Sequence, residues 1–137
     1  MDTLVELLDM SAQRFPSNTA VTMRIGVRST HYTYPELWDR AGRFAALLVR
    51  QSVAPGDRVV FWSPNHPDYV AALFGTFMAG AVAVPLDVAC SRDFTERVLR
   101  QTSPTLAFAT QKLAGVLAES IGWPAFFIVS TIAALPA

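Results

Sequence analysis

The stretch Gly56-Asp57-Arg58-Val59-Val60-Phe61-Trp62-Ser63-Pro64-Asn65-His66-Pro67-Asp68-Tyr69-Val70-Ala71-Ala72-Leu73-Phe74-Gly75-Thr76-Phe77-Met78-Ala79-Gly80-Ala81-Val82-Ala83-Val84-Pro85-Leu86-Asp87 decides the fold. It reads as strand, helix, strand. Arg58 to Ser63 is apolar and β-branched behind a Pro55-Gly56-Asp57 turn, as in a parallel strand covered on both faces. Pro67 suits a first helical position, His66 or Asn65 can cap, and Asp68 places negative charge where the helix dipole favours it. Val70, Leu73, Phe74, Phe77 and Met78 recur at helical spacing and predict one apolar stripe. The opposite side carries Ala71, Ala72, Gly75 and Ala79, small enough for another backbone to come close. Gly80 stops the helix, and Ala81 to Leu86 reads as a short buried strand.

Elements of the same kind extend in both directions. Upstream, Thr3 with Glu6 makes a capping box for a helix to about Phe15, with Leu4, Leu8, Ala12 and Phe15 along one side. Thr19 to Ile25 and Arg28 to Thr33 read as a peripheral antiparallel hairpin turning at Gly26. Thr33 with Glu36 caps a helix from Tyr34 to about Arg50, whose stripe is Leu37, Ala41, Phe44, Ala45 and Leu48. Glu36 with Arg40 and Asp39 with Arg43 are spaced as surface pairs on it.

Downstream, Ser91 can cap a helix from about Asp93 to Gln101, on which Asp93 with Arg97 and Glu96 with Arg100 repeat that spacing. Thr105 to Thr110 reads as a strand, Gln111 to Ser120 as a helix ended by Gly122, and Pro124 to Ser130 as a last strand. Strands alternating with helices after residue 56 predict an α/β fold, a mainly parallel doubly wound sheet with flanking helices. Ala125 to Val129 looks like an interior strand with nothing after it to cover it, so the chain reads as an incomplete subdomain, a fragment.

Composition narrows the partners. With 137 residues and 52% hydrophobic side chains the chain can build one core, and eleven basic residues balance eleven acidic ones. No surface for nucleic acid is advertised. The start lacks a basic leader and Cys90 is the single cysteine, which leads to the expectation of a cytoplasmic protein. The uncharged run Tyr69 to Leu86 is broken by two glycines and Pro85 and flanked by Asp68 and Asp87, which argues against a transmembrane segment.

The sequence carries few motifs with recognisable chemistry. No G-x-x-x-x-G-K-[ST] loop occurs, and Pro64-Asn65-His66-Pro67 stands where a dinucleotide fingerprint would place glycines. His31 and His66 lack partners at metal-ligand spacing, and no serine sits in a G-x-S-x-G elbow. His66 lies where open α/β sheets bind ligands, yet capping is its simpler job. Asp57 reads as a turn residue bonding local backbone, Cys90 as a small buried hydrophobe, and Trp38, Trp62 and Trp123 as packing residues. No catalytic, cofactor-binding or metal residue is assigned.

Several stretches together resemble a known family. They are Tyr32-Thr33-Tyr34-Pro35-Glu36-Leu37, Ala45 to Leu48, Pro55-Gly56-Asp57-Arg58-Val59, Pro64-Asn65, Gly75 with Ala79-Gly80-Ala81-Val82, and Val84-Pro85-Leu86. Their order and spacing are similar to the amino-terminal part of the adenylate-forming, AMP-binding superfamily, over residues 3 to 130. Gly75 to Asp87 followed by Ser91-Arg92-Asp93-Phe94 looks most like bacterial long-chain acyl-CoA synthetases.

The resemblance implies a parent enzyme using ATP, magnesium and coenzyme A to activate a carboxylic acid, fatty in that subgroup, through an acyl-adenylate. The family's phosphate loop ending in lysine, its acidic magnesium motif, its ribose aspartate and its carboxy-terminal lysine have no counterpart here. Lys112, the one lysine, takes over no role. Residues 1–137 are then an amino-terminal scaffold, inactive alone, whose partner is the rest of the synthetase. The competing expectation is a free-standing noncatalytic module that binds a partner through the strand near Ala125 to Val129.

Overall fold

The structure, a computed structural model, describes residues 2–121 and 128–129. Its elements are α1 (Leu4–Arg14), β1 (Thr19–Ile25), β2 (Arg28–Thr33), α2 (Tyr34–Arg50), β3 (Arg58–Trp62), α3 (Pro67–Met78), β4 (Val82–Leu86), α4 (Arg92–Thr102), β5 (Leu106–Ala109), α5 (Gln111–Ile121) and β6 (Ile128–Val129). Both capping boxes form, Thr3 with Glu6 and Thr33 with Glu36. Of the expected last strand, only Ile128 and Val129 are among the described residues. Trp123 and residues 124–127 and 130 lie outside them.

The sheet runs β4-β3-β5-β6 with every pair parallel, while β1 and β2 form a separate antiparallel hairpin. The pleat sends alternate residues to opposite faces. Val59, Phe61, Leu106 and Phe108 meet Phe44 and Leu48 of α2 and Ala72 of α3. Val60, Trp62, Ala107 and Ala109 meet Leu99 of α4 and Ala114 and Leu117 of α5. Helices thus cover both faces, as a doubly wound sheet requires. No helix among the described residues is long and apolar enough to cross a membrane. Thr95 Oγ1 is the one buried side-chain polar atom among them without a hydrogen-bond partner.

On α3 the small side expected to admit another backbone does so, and it is buried more deeply than the apolar stripe. Val70, Leu73, Phe74, Phe77 and Met78 are only half-buried, whereas Ala71, Ala72, Gly75 and Thr76 are fully buried. The reason is contact with α2. A Cβ on Gly75 would stand 2.5 Å from the Ala41 carbonyl oxygen and 2.8 Å from Phe44 Cβ, so the two backbones meet where α3 is smallest. Its large residues fill the flanks: Leu73 packs toward the sheet, and Val70, Phe74 and Met78 toward Leu8, Tyr32 and Leu37.

Other expectations shift too. On α1 only Leu8 is buried, while Leu4 and Phe15 are exposed. Of the surface pairs, Asp39 with Arg43 forms at 3.0 Å and Glu96 with Arg100 at 3.9 Å. Arg40 turns to Asp68 instead of Glu36, and Arg97 lies over the Phe94 ring.

Candidate functional site

In this strand order the connection from β3 leads to one edge of the sheet and that from β5 to the other. The carboxyl ends of β3 and its neighbours are therefore where an open α/β sheet presents a ligand site. Ser63-Pro64-Asn65-His66 follows β3 there, and the loop after Leu86 follows β4.

The start of α3 consumes its own amides. Pro67 has no N–H, and the Asp68 amide donates to His66 Nδ1 at 3.0 Å. The Tyr69 and Val70 amides donate to the His66 carbonyl at 2.9 and 3.3 Å. An anion approaching this helix end meets no free N–H, so the usual source of phosphate binding is closed. Ser63 is buried, and its hydroxyl donates to the Pro64 carbonyl at 2.9 Å. Across the edge the Trp62 indole donates to the Asp87 carbonyl at 3.0 Å, and Asp87 Oδ1 accepts from the Ala89 amide at 2.9 Å.

Behind this turn lies a polar cluster. Tyr32 on β2 donates its hydroxyl to Asp68 Oδ1 at 2.5 Å. Arg40 on α2 sits 4.2 Å above the Tyr32 ring, with Nη1 3.8 Å from the same carboxylate oxygen. Burial first, and then the hydrogen bond and negative charge of Asp68, push the Tyr32 phenol up to about 12. The phenol therefore stays protonated at neutral pH and acts as a donor. His66 Nδ1 lies 3.6 Å from Asp68 Oδ2. That nitrogen accepts the Asp68 amide proton and so presents a lone pair, which makes the cap, not an ion pair, the interaction that defines it.

A shallow groove of about 250 Å³ opens between β1 and the start of α3, lined by Val21, Thr22, Met23, Asn65, His66, Pro67 and Val70.

The remaining candidates fall into structural roles. Asp57 Oδ2 accepts from the Ala54 amide at 2.8 Å, the local turn bond that its context predicts. His66 caps α3, also as its position predicts. His31 is exposed on β2, Cys90 is half-buried in the loop after β4, and Lys112 is exposed in the first turn of α5. Trp62 is core and Trp38 packs beside Leu8 and Leu37. Among the described residues no three His, Cys, Asp or Glu side chains are grouped to hold a metal. The cluster of Tyr32, Arg40 and Asp68 was not legible beforehand. Its hydrogen-bonded members are 36 residues apart, and no local spacing links them.

Comparison with known proteins adds what the edge alone does not carry. The family model described as AMP-binding enzyme matches residues 8–125. A feruloyl-CoA synthase from Amycolatopsis is 47% identical over 76 residues, 56% of this chain and 15% of that protein. A Mycobacterium tuberculosis protein named fatty-acid–CoA ligase FadD21 is 38% identical over 95 residues, 67% of this chain and 16% of its own length. The solved structure of VinN with 3-methylaspartate superposes with a TM-score of 0.82 at 27% identity, over 95% of this chain and 35% of that one. The chain thus spans about one sixth of the length of these two curated relatives.

Proposed function

The chain belongs to the AMP-binding enzyme family, and from that premise we propose that residues 1–137 form the amino-terminal α/β scaffold of an ATP-dependent acid–CoA ligase, inactive on its own. The parent enzyme would join a carboxylic acid to AMP with release of pyrophosphate and pass the acyl group to coenzyme A. A fatty acid is our reading of the acid, supported by the likeness to FadD21.

The observation that carries the scaffold role is the closed start of α3. At the sheet edge where a nucleotide would be expected, the amides of Asp68, Tyr69 and Val70 are all bonded to His66. The residues at this edge do not fit the ATP phosphates, and no group of carboxylates fits magnesium among the described residues. What the chain contributes is position: a sheet packed on both faces and a helix pair locked at Gly75.

ATP–pyrophosphate exchange with the isolated chain, supplied with fatty acids and separately with ferulate, tests this. No exchange above the protein-free blank is expected, and robust exchange would overturn the inactive-scaffold reading. A second reading, a free-standing interaction module, is favoured by the place of Ile128–Val129 at the end of the strand order. Sedimentation decides against it if the chain stays monomeric at every concentration tried.

A further inference from the structure

The groove beside His66 is the part of this edge whose hydrogen-bonding capacity the protein does not use up. Val21 and Met23 of β1 and Pro67 and Val70 of α3 give it apolar walls. The His66 side chain, which also lines it, is only 5% exposed. The cap settles the tautomer of this ring. Because the Asp68 amide can only donate, Nδ1 must hold a lone pair, and the proton of the neutral imidazole is on Nε2. Nε2 has no hydrogen-bond partner among the described residues. Thr95 Oγ1 is the one buried polar side-chain atom left unpartnered among the described residues, so solvent reaches this Nε2–H, and an acceptor brought to it exchanges with water for a net gain of about 0.5–1.5 kcal/mol.

Size and charge narrow the ligand. About 250 Å³ exceeds the roughly 150 Å³ that holds a benzene and falls short of the about 300 Å³ at which drug-sized sites begin. No Lys or Arg lines the groove, and the Asp68 carboxylate lies 3.6 Å from the His66 ring, so a negatively charged end is disfavoured. We propose that this groove binds a neutral, ring-sized organic group carrying one acceptor oxygen. The ring would lie against Val21, Met23 and Val70, with the oxygen on the His66 Nε2–H. The identity of that group as the end of the acid remote from its carboxylate rests on the acid–CoA ligase reading; the preference of the groove does not.

The test is a titration of the whole chain, followed by NMR, with acetophenone and with ethylbenzene, which has a similar shape and lacks the oxygen. Acetophenone should shift the Val21 and Val70 methyls and the His66 imidazole, binding in the millimolar range and about five- to tenfold more tightly than ethylbenzene. His66→Asp keeps a capping acceptor and carries no N–H, and should bring acetophenone down to the affinity of ethylbenzene. Val21→Trp fills the groove without touching the cap and should abolish binding of both, which keeps the test decisive if H66D unfolds. Equal affinities for the two probes, no saturable binding, shifts centred elsewhere, or an acetophenone preference that survives H66D would each overturn the proposal. Exchange activity of the isolated chain would overturn the inactive-scaffold reading and leave this result standing.

Discussion

Helix α3 is held from two sides by different physics. Toward α2 the contact is steric: Ala71, Ala72 and Gly75 let two backbones approach until nothing larger fits. Toward the hairpin, apolar contact of Val70 and Phe74 with Tyr32 and Val21 is given direction by the Tyr32 hydroxyl on Asp68, a carboxylate that the Arg40 guanidinium of α2 also approaches. The steric side tolerates no added atom, because interiors are packed as densely as organic crystals. The polar side fixes one orientation and leaves a groove beside it. Small residues therefore locate α3 against α2, and the Tyr32–Asp68 bond orients the hairpin that packs on its other flank.

The largest effect should come from the steric side. Gly75→Ala puts a methyl 2.5 Å from the Ala41 carbonyl oxygen, and backbone cannot step aside as a flexible side chain can. Urea unfolding should show a loss of about 3 kcal/mol. A loss no greater than that of an exposed helical substitution would break the steric half of the comparison. Tyr32→Phe comes next, at about 1–2 kcal/mol, because it deletes the hydroxyl that Asp68 accepts and keeps the ring under Arg40.

Its pH signature separates the two halves. The folded phenol titrates near 12 against a usual 10.0, so the folded state holds that proton more tightly. Its stabilisation is complete below pH 10 and is lost as pH rises from 10 towards 12. Denaturant midpoints of the parent chain should fall across that window, and those of Y32F should fall less. Burial raises the Tyr69 phenol as well, which leaves a residual slope in Y32F.

Which parts were legible in the sequence follows the same division. The βαβ unit, both capping boxes, the His66 cap and the Asp57 turn were readable because each depends on residues within a few positions of one another. The small side of α3, open to another backbone, was readable as well; that it is the deepest buried and that α2 packs there was not. Periodicity reports where large apolar residues are, while burial is deepest where Gly75 lets α2 come close. The Tyr32–Asp68 bond was invisible for a related reason: it joins a hairpin to a helix across 36 residues, and only the packing of α2 brings them together. The family was readable from scaffold stretches spread along the chain. Catalytic residues were not assigned, and the edge where they would be sought is bonded to itself.

Two smaller changes probe whether polar groups help this fold only when partnered. His66→Ala removes the acceptor of the Asp68 amide and should cost about 1 kcal/mol, with His66→Asn recovering most of it. Thr95 is the counter-case. It is 2% exposed on α4, and its hydroxyl has no partner, so it carries a desolvation cost with no bond to offset it. Thr95→Val preserves the shape and the β-branching while removing the oxygen. The expected outcome is therefore a gain of about 0.5–1 kcal/mol, opposite in sign to Y32F although each change deletes one buried hydroxyl. Parallel urea melts of the two variants give the comparison directly. If T95V destabilises as Y32F does, Thr95 has a partner in solution, and the unpaired hydroxyl cannot serve as the reference against which the Tyr32–Asp68 bond is measured.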